Sequence, residues 1–138
     1  MKTVAVSGFF CWIHHGHVRL FKDAAKLGDK LIVIVNNNDQ QTVKKNKLVM
    51  DAEDIMEVIR EFKCVDEVYL ATDDDSTVCR TLRELKPDIF ANGGDRGAGN
   101  VPEYGVCEKY DIEMVFGVGG PKIESSSNLL SKWKRKNK

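Results

Sequence analysis

The chain reads as an α/β protein with a doubly wound, parallel, five-stranded sheet in one domain, and three observations predict it. Short runs rich in β-branched and other apolar residues alternate with stretches of helical period. One run, Leu31-Ile32-Val33-Ile34-Val35, is apolar without a break, as a strand covered on both faces must be. The segments richest in glycine and polar side chains follow the strands. With 138 residues the chain is long enough to bury a real core and short enough to be a single domain, expected over 1–138.

The elements follow in order. Thr3 to Val6 is a short buried strand that ends at Ser7-Gly8. Residues 16–28 put Leu20, Phe21, Ala24 and Leu27 on one helical face, and Gly28-Asp29 is read as the stop. After the strand at 31–35, the polar stretch from Asn36 to Lys47 reads as a loop. Ala52, Ile55, Ile59 and Phe62 mark a second helix, and Val65 to Leu70 a third strand. Asp73-Asp74-Asp75-Ser76 offers caps and first-turn acids for a helix carrying Val78, Leu82 and Leu85, which Pro87 halts. Asp88 to Ala91 is a fourth strand, Pro102 to Tyr110 a helix, and Ile112 to Val118 a fifth strand. Ser125-Ser126-Ser127 then opens a last helix with Leu129, Leu130 and Trp133 inward. Such alternation implies right-handed βαβ crossovers. No internal repeat, low-complexity segment or linker interrupts it.

Composition narrows the class. The chain is 42% hydrophobic and 30% charged, as soluble globular proteins are. Its 21 basic and 21 acidic residues cancel, so no global field draws it to nucleic acid or to a membrane. No apolar run reaches the length of a membrane span and the N-terminus has no signal-peptide core, so a cytoplasmic location is expected. Cys11, Cys64, Cys79 and Cys107 lack paired spacing and read as reduced thiols. The tail Lys132-Trp133-Lys134-Arg135-Lys136 mixes cations with an aromatic, but a solvated helix end accounts for it better than nucleic-acid binding.

The chemistry gathers where an open parallel sheet binds ligands, outside the carboxyl ends of its strands. After strand one comes Ser7-Gly8-Phe9-Phe10-Cys11-Trp12-Ile13-His14-His15-Gly16-His17. If the helix begins near Gly16, His14 in the approach and His17 in the first turn can reach one ligand. The helix N-terminus there offers unpaired N–H groups and about half a positive charge. Gly16 removes a side chain where phosphate must come close to backbone. Three histidines within four residues rarely converge on one zinc ion, and no second Cys/His cluster lies nearby, so no protein-held metal is expected. After strand two, Lys44, Lys45 and Lys47 are mobile charges suited to triphosphate oxygens, although a solvated basic loop would look the same. After strand four, Asn92-Gly93-Gly94-Asp95 can admit a base or ribose, or be a plain turn, and Arg96 can pair with an acceptor phosphate. Near the last helix lie Lys122 and Ser125 to Ser127, the serines serving as caps or as phosphate donors. The chain has no Walker sequence, no G-x-G-x-x-G after strand one and no G-x-S-x-G elbow, which sets aside P-loop, dinucleotide and α/β-hydrolase readings.

In this order and spacing the residues resemble the nucleotidyltransferase superfamily with the H-x-G-H signature, in its small cytidylyltransferase-like branch, over almost the whole chain. Gly8, Phe10, His14, Gly16 and His17 match G-x-F-D-x-x-H-x-G-H in register. Leu27-Gly28-Asp29-Lys30-Leu31-Ile32-Val33 is similar to L-G-D-x-L-I-V, and Lys86 to Asp95 to the fourth-strand segment of heptose-1-phosphate adenylyltransferases. Ser125 to Ser127 stand at the family's S-T-T. The chain departs from the pattern at Cys11, where the family has aspartate, and at Ile55 and Gly120, where many relatives have arginine.

The resemblance implies a Rossmann-like fold and an activity: transfer of CMP or AMP from CTP or ATP to a small phosphorylated or phosphonate acceptor, with Mg2+ accompanying the nucleotide. Glycerol-3-phosphate cytidylyltransferase, archaeal FAD synthetase and heptose-1-phosphate adenylyltransferase illustrate the range. It implies His14, His17 and Lys44 as catalytic residues. Gly8, Phe9, Phe10, Gly16, Lys45, Asn92, Gly93, Gly94, Asp95 and Ser125 to Ser127 would contact nucleotide, Arg96 and Lys122 the acceptor. A homodimer is expected by the same resemblance. The competing reading from another class is a nucleotide sensor without turnover.

Overall fold

The computed structural model describes residues 1–45, 48, 50–75, 77–93 and 101–119, with only the backbone course given for 43–45. Strands and helices follow in the order β1 (Thr3–Gly8), α1 (His15–Ala25), β2 (Lys30–Val35), α2 (Asn38–Lys45), α3 (Ala52–Arg60), β3 (Glu67–Leu70), α4 (Cys79–Leu85), β4 (Ile89–Gly93), α5 (Tyr104–Lys109) and β5 (Glu113–Val118). The five strands form one sheet in the order β3-β2-β1-β4-β5, and every pair is parallel. The chain builds outward from β1 through β2 to β3, then returns to β4 on the other side of β1. The strand order therefore reverses between β1 and β4, where the ends of neighbouring crossovers diverge and leave a crevice.

Alternation along each strand sorts the core into two layers. Val4, Val6, Leu31, Val33, Val35, Ile89 and Ala91 pack on one face against Phe21 and Ala24 of α1 and Ala52, Ile55, Met56 and Ile59 of α3. Ala5, Ile32, Ile34 and Phe90 pack on the other, against Val78, Leu82, Cys107 and Ile112 around α4 and α5. Phe21, Phe90, Leu31 and Ile34 are fully buried, each worth about 1.5–3 kcal/mol relative to exposure. This is the doubly wound sheet expected from the sequence.

Several local expectations are corrected. Helix α1 starts at His15 and ends at Ala25 with Lys26 as its C-cap, so Gly28 does not stop it. Gly28 instead lets the chain pass the first strand: a Cβ there would stand 2.7 Å from the Lys2 carbonyl oxygen. The stretch read as a loop after β2 contains α2, which places the backbone of Lys44 and Lys45 in a last helical turn. Its start is fixed by a reciprocal pair: the Gln40 N–H donates to Asn37 Oδ1 at 2.9 Å, and the Asn37 N–H donates to Gln40 Oε1 at 2.9 Å. Strand β3 begins at Glu67 and not Val65, because the Asp66 carboxylate accepts the Leu31 N–H at 2.8 Å just before pairing begins.

Helix α4 begins at Cys79, too late for the four-residue Asp/Ser run to supply its first turn. Asp73 caps it from a distance, accepting the Arg80 N–H at 2.7 Å and the Thr81 N–H at 3.2 Å. Ser76 and the segment expected as a last helix, with Leu129, Leu130 and Trp133 and the basic tail, lie outside the described residues. Among the described residues no helix is long and apolar enough to cross a membrane.

Candidate functional site

The two signature histidines hold each other in place through the start of α1. His14 is the N-cap, in extended conformation, and its Nδ1 accepts the Gly16 N–H at 3.1 Å. His17, three residues on, uses its Nδ1 to accept the His14 N–H at 3.2 Å. This is a capping box with imidazoles in place of the usual hydroxyl and carboxylate. It has a chemical consequence. A nitrogen that accepts an N–H carries no proton, so each neutral ring is fixed in the tautomer protonated at Nε2. The ring centroids are 4.0 Å apart with planes tilted by 33°, so the two imidazoles form one cluster at the start of α1. His15, between them, is exposed.

Packing keeps His17 neutral as well as aligned. Burial, with the nearby His14 adding to it, lowers its pKa from 6.5 to about 4. Phe10 meets the His17 ring edge-on at 5.3 Å and the Phe21 ring at 5.2 Å, linking the site to the core. Phe10 is only 5% exposed, so the structure places it beneath the site as a support, and Phe9 packs against the same core. Gly8 is required by that arrangement: a Cβ would stand 2.9 Å from Phe10 Cζ.

The loop between β1 and α1 holds two non-glycine residues in the left-handed region, Phe10 and Trp12, both at φ 55°. Such conformations cost on the order of 1 kcal/mol or more and persist only where surroundings enforce them. Here the enforcing contacts are the burial of Phe10 and Cys11 and the Trp12 N–H donating to Met50 Sδ at 3.4 Å. Cys11, where the signature has aspartate, is 3% exposed within the core layer. Ile55 is 1% exposed in the same layer, so the position compared with an arginine faces the core and not the rim.

The other strand ends bring further residues to this edge. The Asn36 N–H donates to the Gly8 carbonyl at 3.0 Å and ties the exit of β2 to that of β1. Asn37 and Gln40 stitch the same exit to the loop after β3, donating to the carbonyls of Ala71, Asp73, Asp75 and Thr77. Asn92 and Gly93 end β4 beside β1, with Asn92 2% exposed and open space where a Gly93 side chain would be. Strand β5 leaves through Gly117 and Gly119, at φ 71° and 85°, and a Cβ on Gly119 would stand 3.1 Å from the Leu20 backbone. Gly119, the residue that follows β5, therefore lies against the helix that bears the histidines.

The structure thus gathers Gly8, His14, Gly16, His17, Asn92 and Gly93 at the switch point. Gly94, Asp95, Arg96, Gly120, Lys122 and Ser125 to Ser127 lie outside the described residues, as do the side chains of Lys44 and Lys45 and all of Lys47. Reasoning from the sequence missed the capping role of the histidines and the α2 cap. The second had a signal: Asn37 followed three residues later by Gln40. Among the described residues no group of three His, Cys, Asp or Glu side chains is arranged to hold a metal ion.

Comparison with known proteins agrees with this geometry. The Cytidylyltransferase-like family model matches residues 5–117, from β1 into β5. Over 118 residues, 83% of this chain, the sequence is 38% identical to the bifunctional protein HldE of Streptomyces coelicolor, spanning 25% of that protein. Over 96 residues it is 38% identical to the FAD synthase of Ferroglobus placidus, covering 70% of this chain and 61% of that one. The chain therefore spans only part of the length of these relatives. Among solved structures, a lipopolysaccharide core biosynthesis protein from Thermoplasma volcanium superposes with a TM-score of 0.71 at 28% identity, covering 84% of this chain and 95% of that one. Sheet order, the paired histidines at the switch point and these matches lead to one conclusion: the chain belongs to the cytidylyltransferase-like family.

Proposed function

We propose that the protein is a nucleotidyltransferase that moves AMP or CMP from the triphosphate to a small phosphorylated acceptor and releases pyrophosphate. The observation that carries the reading is the reciprocal capping of α1 by His14 and His17, which fixes both Nε2 protons as donors over a helix N-terminus. The relatives favour the adenylyl form. FAD is AMP joined to FMN, and FAD synthases are among the proteins this chain resembles. FMN and sugar phosphates are accordingly the first acceptors to consider.

An oxygen of the acceptor's phosphate attacks the α-phosphorus as the bond to the β-phosphate's bridging oxygen breaks, and the electron pair leaves with pyrophosphate. The attacking oxygen is already anionic near neutral pH, so no general base is needed. The protein's part is alignment and stabilisation of charge that grows on the α-phosphoryl and bridging oxygens. A neutral imidazole with a fixed Nε2–H performs this without giving up its proton. Mg2+ bound to the triphosphate would neutralise part of the same charge.

The test is pyrophosphate release with ATP and with CTP against FMN, hexose and heptose 1-phosphates, and glycerol 3-phosphate. Release with one acceptor, reduced at least about 100-fold in His17→Ala, is expected. Unchanged release in both His14→Ala and His17→Ala would overturn the mechanism. Nucleotide binding without release across the panel would favour the sensing alternative.

A further inference from the structure

The loop that carries the histidines is tied to α2 through one residue, Met50. Trp12, two residues before His14, holds φ at 55°, and its backbone N–H donates to Met50 Sδ at 3.4 Å, 38 residues along the chain. A thioether is a weak acceptor on a side chain with several rotatable bonds. It can help hold Trp12 in a costly conformation only if Met50 is itself held firmly.

One buried side chain holds Met50 at both of its backbone polar groups. Gln41 Nε2 donates to the Met50 carbonyl oxygen at 2.7 Å, and the Met50 N–H donates to Gln41 Oε1 at 2.9 Å. The amide thus pairs with Met50 as a neighbouring strand would. Asn38, three residues before Gln41 on the same side of α2, accepts the Ala52 N–H at 2.8 Å through Oδ1. The chain at 50–52 is therefore fastened to α2 at two points, and Met50 packs against the core layer that contains Phe10 and Cys11. Gln41 is 0% exposed. A buried amide must be desolvated, and its hydrogen bonds chiefly offset that loss; what it adds over a leucine is direction.

Resting on the proposed nucleotidyl transfer, we infer that Gln41 is a positioning residue for it: through Met50 it fixes the Trp12 backbone, and with it the angle at which His14 and His17 meet the phosphates. His14 takes its place from that loop as the N-cap, and His17 takes its own by accepting the His14 N–H. A displaced imidazole can still follow a flexible triphosphate in the ground state. It cannot follow the in-line transition state, whose geometry the acceptor also fixes. Loss of the tether therefore lowers kcat far more than it changes KM.

The test compares Gln41→Leu, Met50→Leu and the double variant with the wild type, each as the full chain. Met50→Leu conserves volume and keeps the backbone bonds to Gln41, so it removes the sulfur acceptor from a protein whose melting temperature stays near that of the wild type. Two readouts are taken: the nitrogen NMR shifts of the His14 and His17 rings, and kcat and KM for pyrophosphate release. Each single variant should move the ring resonances and lower kcat about 10- to 100-fold, with KM little changed. The double variant should be no slower than the slower single one, because both substitutions cut the same tether. Wild-type ring resonances or wild-type kcat in Met50→Leu, or losses that multiply in the double variant, overturn the inference and leave the proposed transfer standing. A wild type that releases no pyrophosphate, with the resonances still moved in the variants, overturns the transfer and leaves Gln41 as the residue that aligns the histidines.

Discussion

The capping role and the chemical role of His14 can be separated by one pair of substitutions. His14→Ala removes the acceptor for the Gly16 N–H, which leaves a first-turn donor to water and costs about 1 kcal/mol, as loss of an N-cap does. In a domain of this size that lowers the melting temperature by roughly 4 °C. His14→Asn keeps a side-chain acceptor at the position where asparagine is among the best caps, so stability should change by about 0.5 kcal/mol or less. Both variants lose the Nε2–H. A hydrogen bond to an anionic phosphate is worth about 1.5–3 kcal/mol, so triphosphate affinity should fall roughly 10- to 150-fold in each. Urea denaturation reads the first quantity. Quenching of Trp12, which is 43% exposed two residues before His14, reads the second. An asparagine variant that binds triphosphate as well as the wild type would refute the assignment of Nε2. An alanine variant as stable as the wild type would refute the cap.

Acid should loosen the same site. Because the folded pKa of His17 is lowered to about 4 from 6.5, the unfolded chain takes up this proton first as pH falls. Its contribution to stability is therefore complete above pH 6.5 and is lost between there and pH 4. The ring is partly open to solvent, which reduces the effect to about 1–2 kcal/mol. Denaturation midpoints of wild type and His17→Gln across that window check it, the variant losing that component of the slope. Gly8→Ala should cost about 1–3 kcal/mol, because its Cβ drives the Phe10 ring against His17 and Phe21. Phe10→Leu in the same chain should recover part of that loss, and a double-mutant cycle with zero coupling would sink the explanation.

The amino-acid sequence by itself determined the layering and the location of the site. Unbroken apolar runs such as 31–35 admit only a sheet covered on both faces, and polar, glycine-rich segments after each strand admit only a ligand edge at the carboxyl ends. The H-x-G-H segment was legible as a phosphate site because its residues are local: two imidazoles and a glycine lie within four residues, although their capping roles were not. What stayed hidden depends on partners far apart in the chain. Asn37 and Gln40 reach the loop after β3, more than thirty residues away, and so turn a polar stretch into a helix. Asp73 caps α4 from six residues before its first helical position, which displaces the expected start. Cys11 and Ile55 read as lost polar contacts until packing puts both in the core. Only tertiary packing buries Asn92 at the end of β4 and leaves its side-chain carbonyl oxygen without a partner among the described residues. Period and composition act along the chain, whereas burial and hydrogen-bond satisfaction are settled between segments that the fold alone brings together.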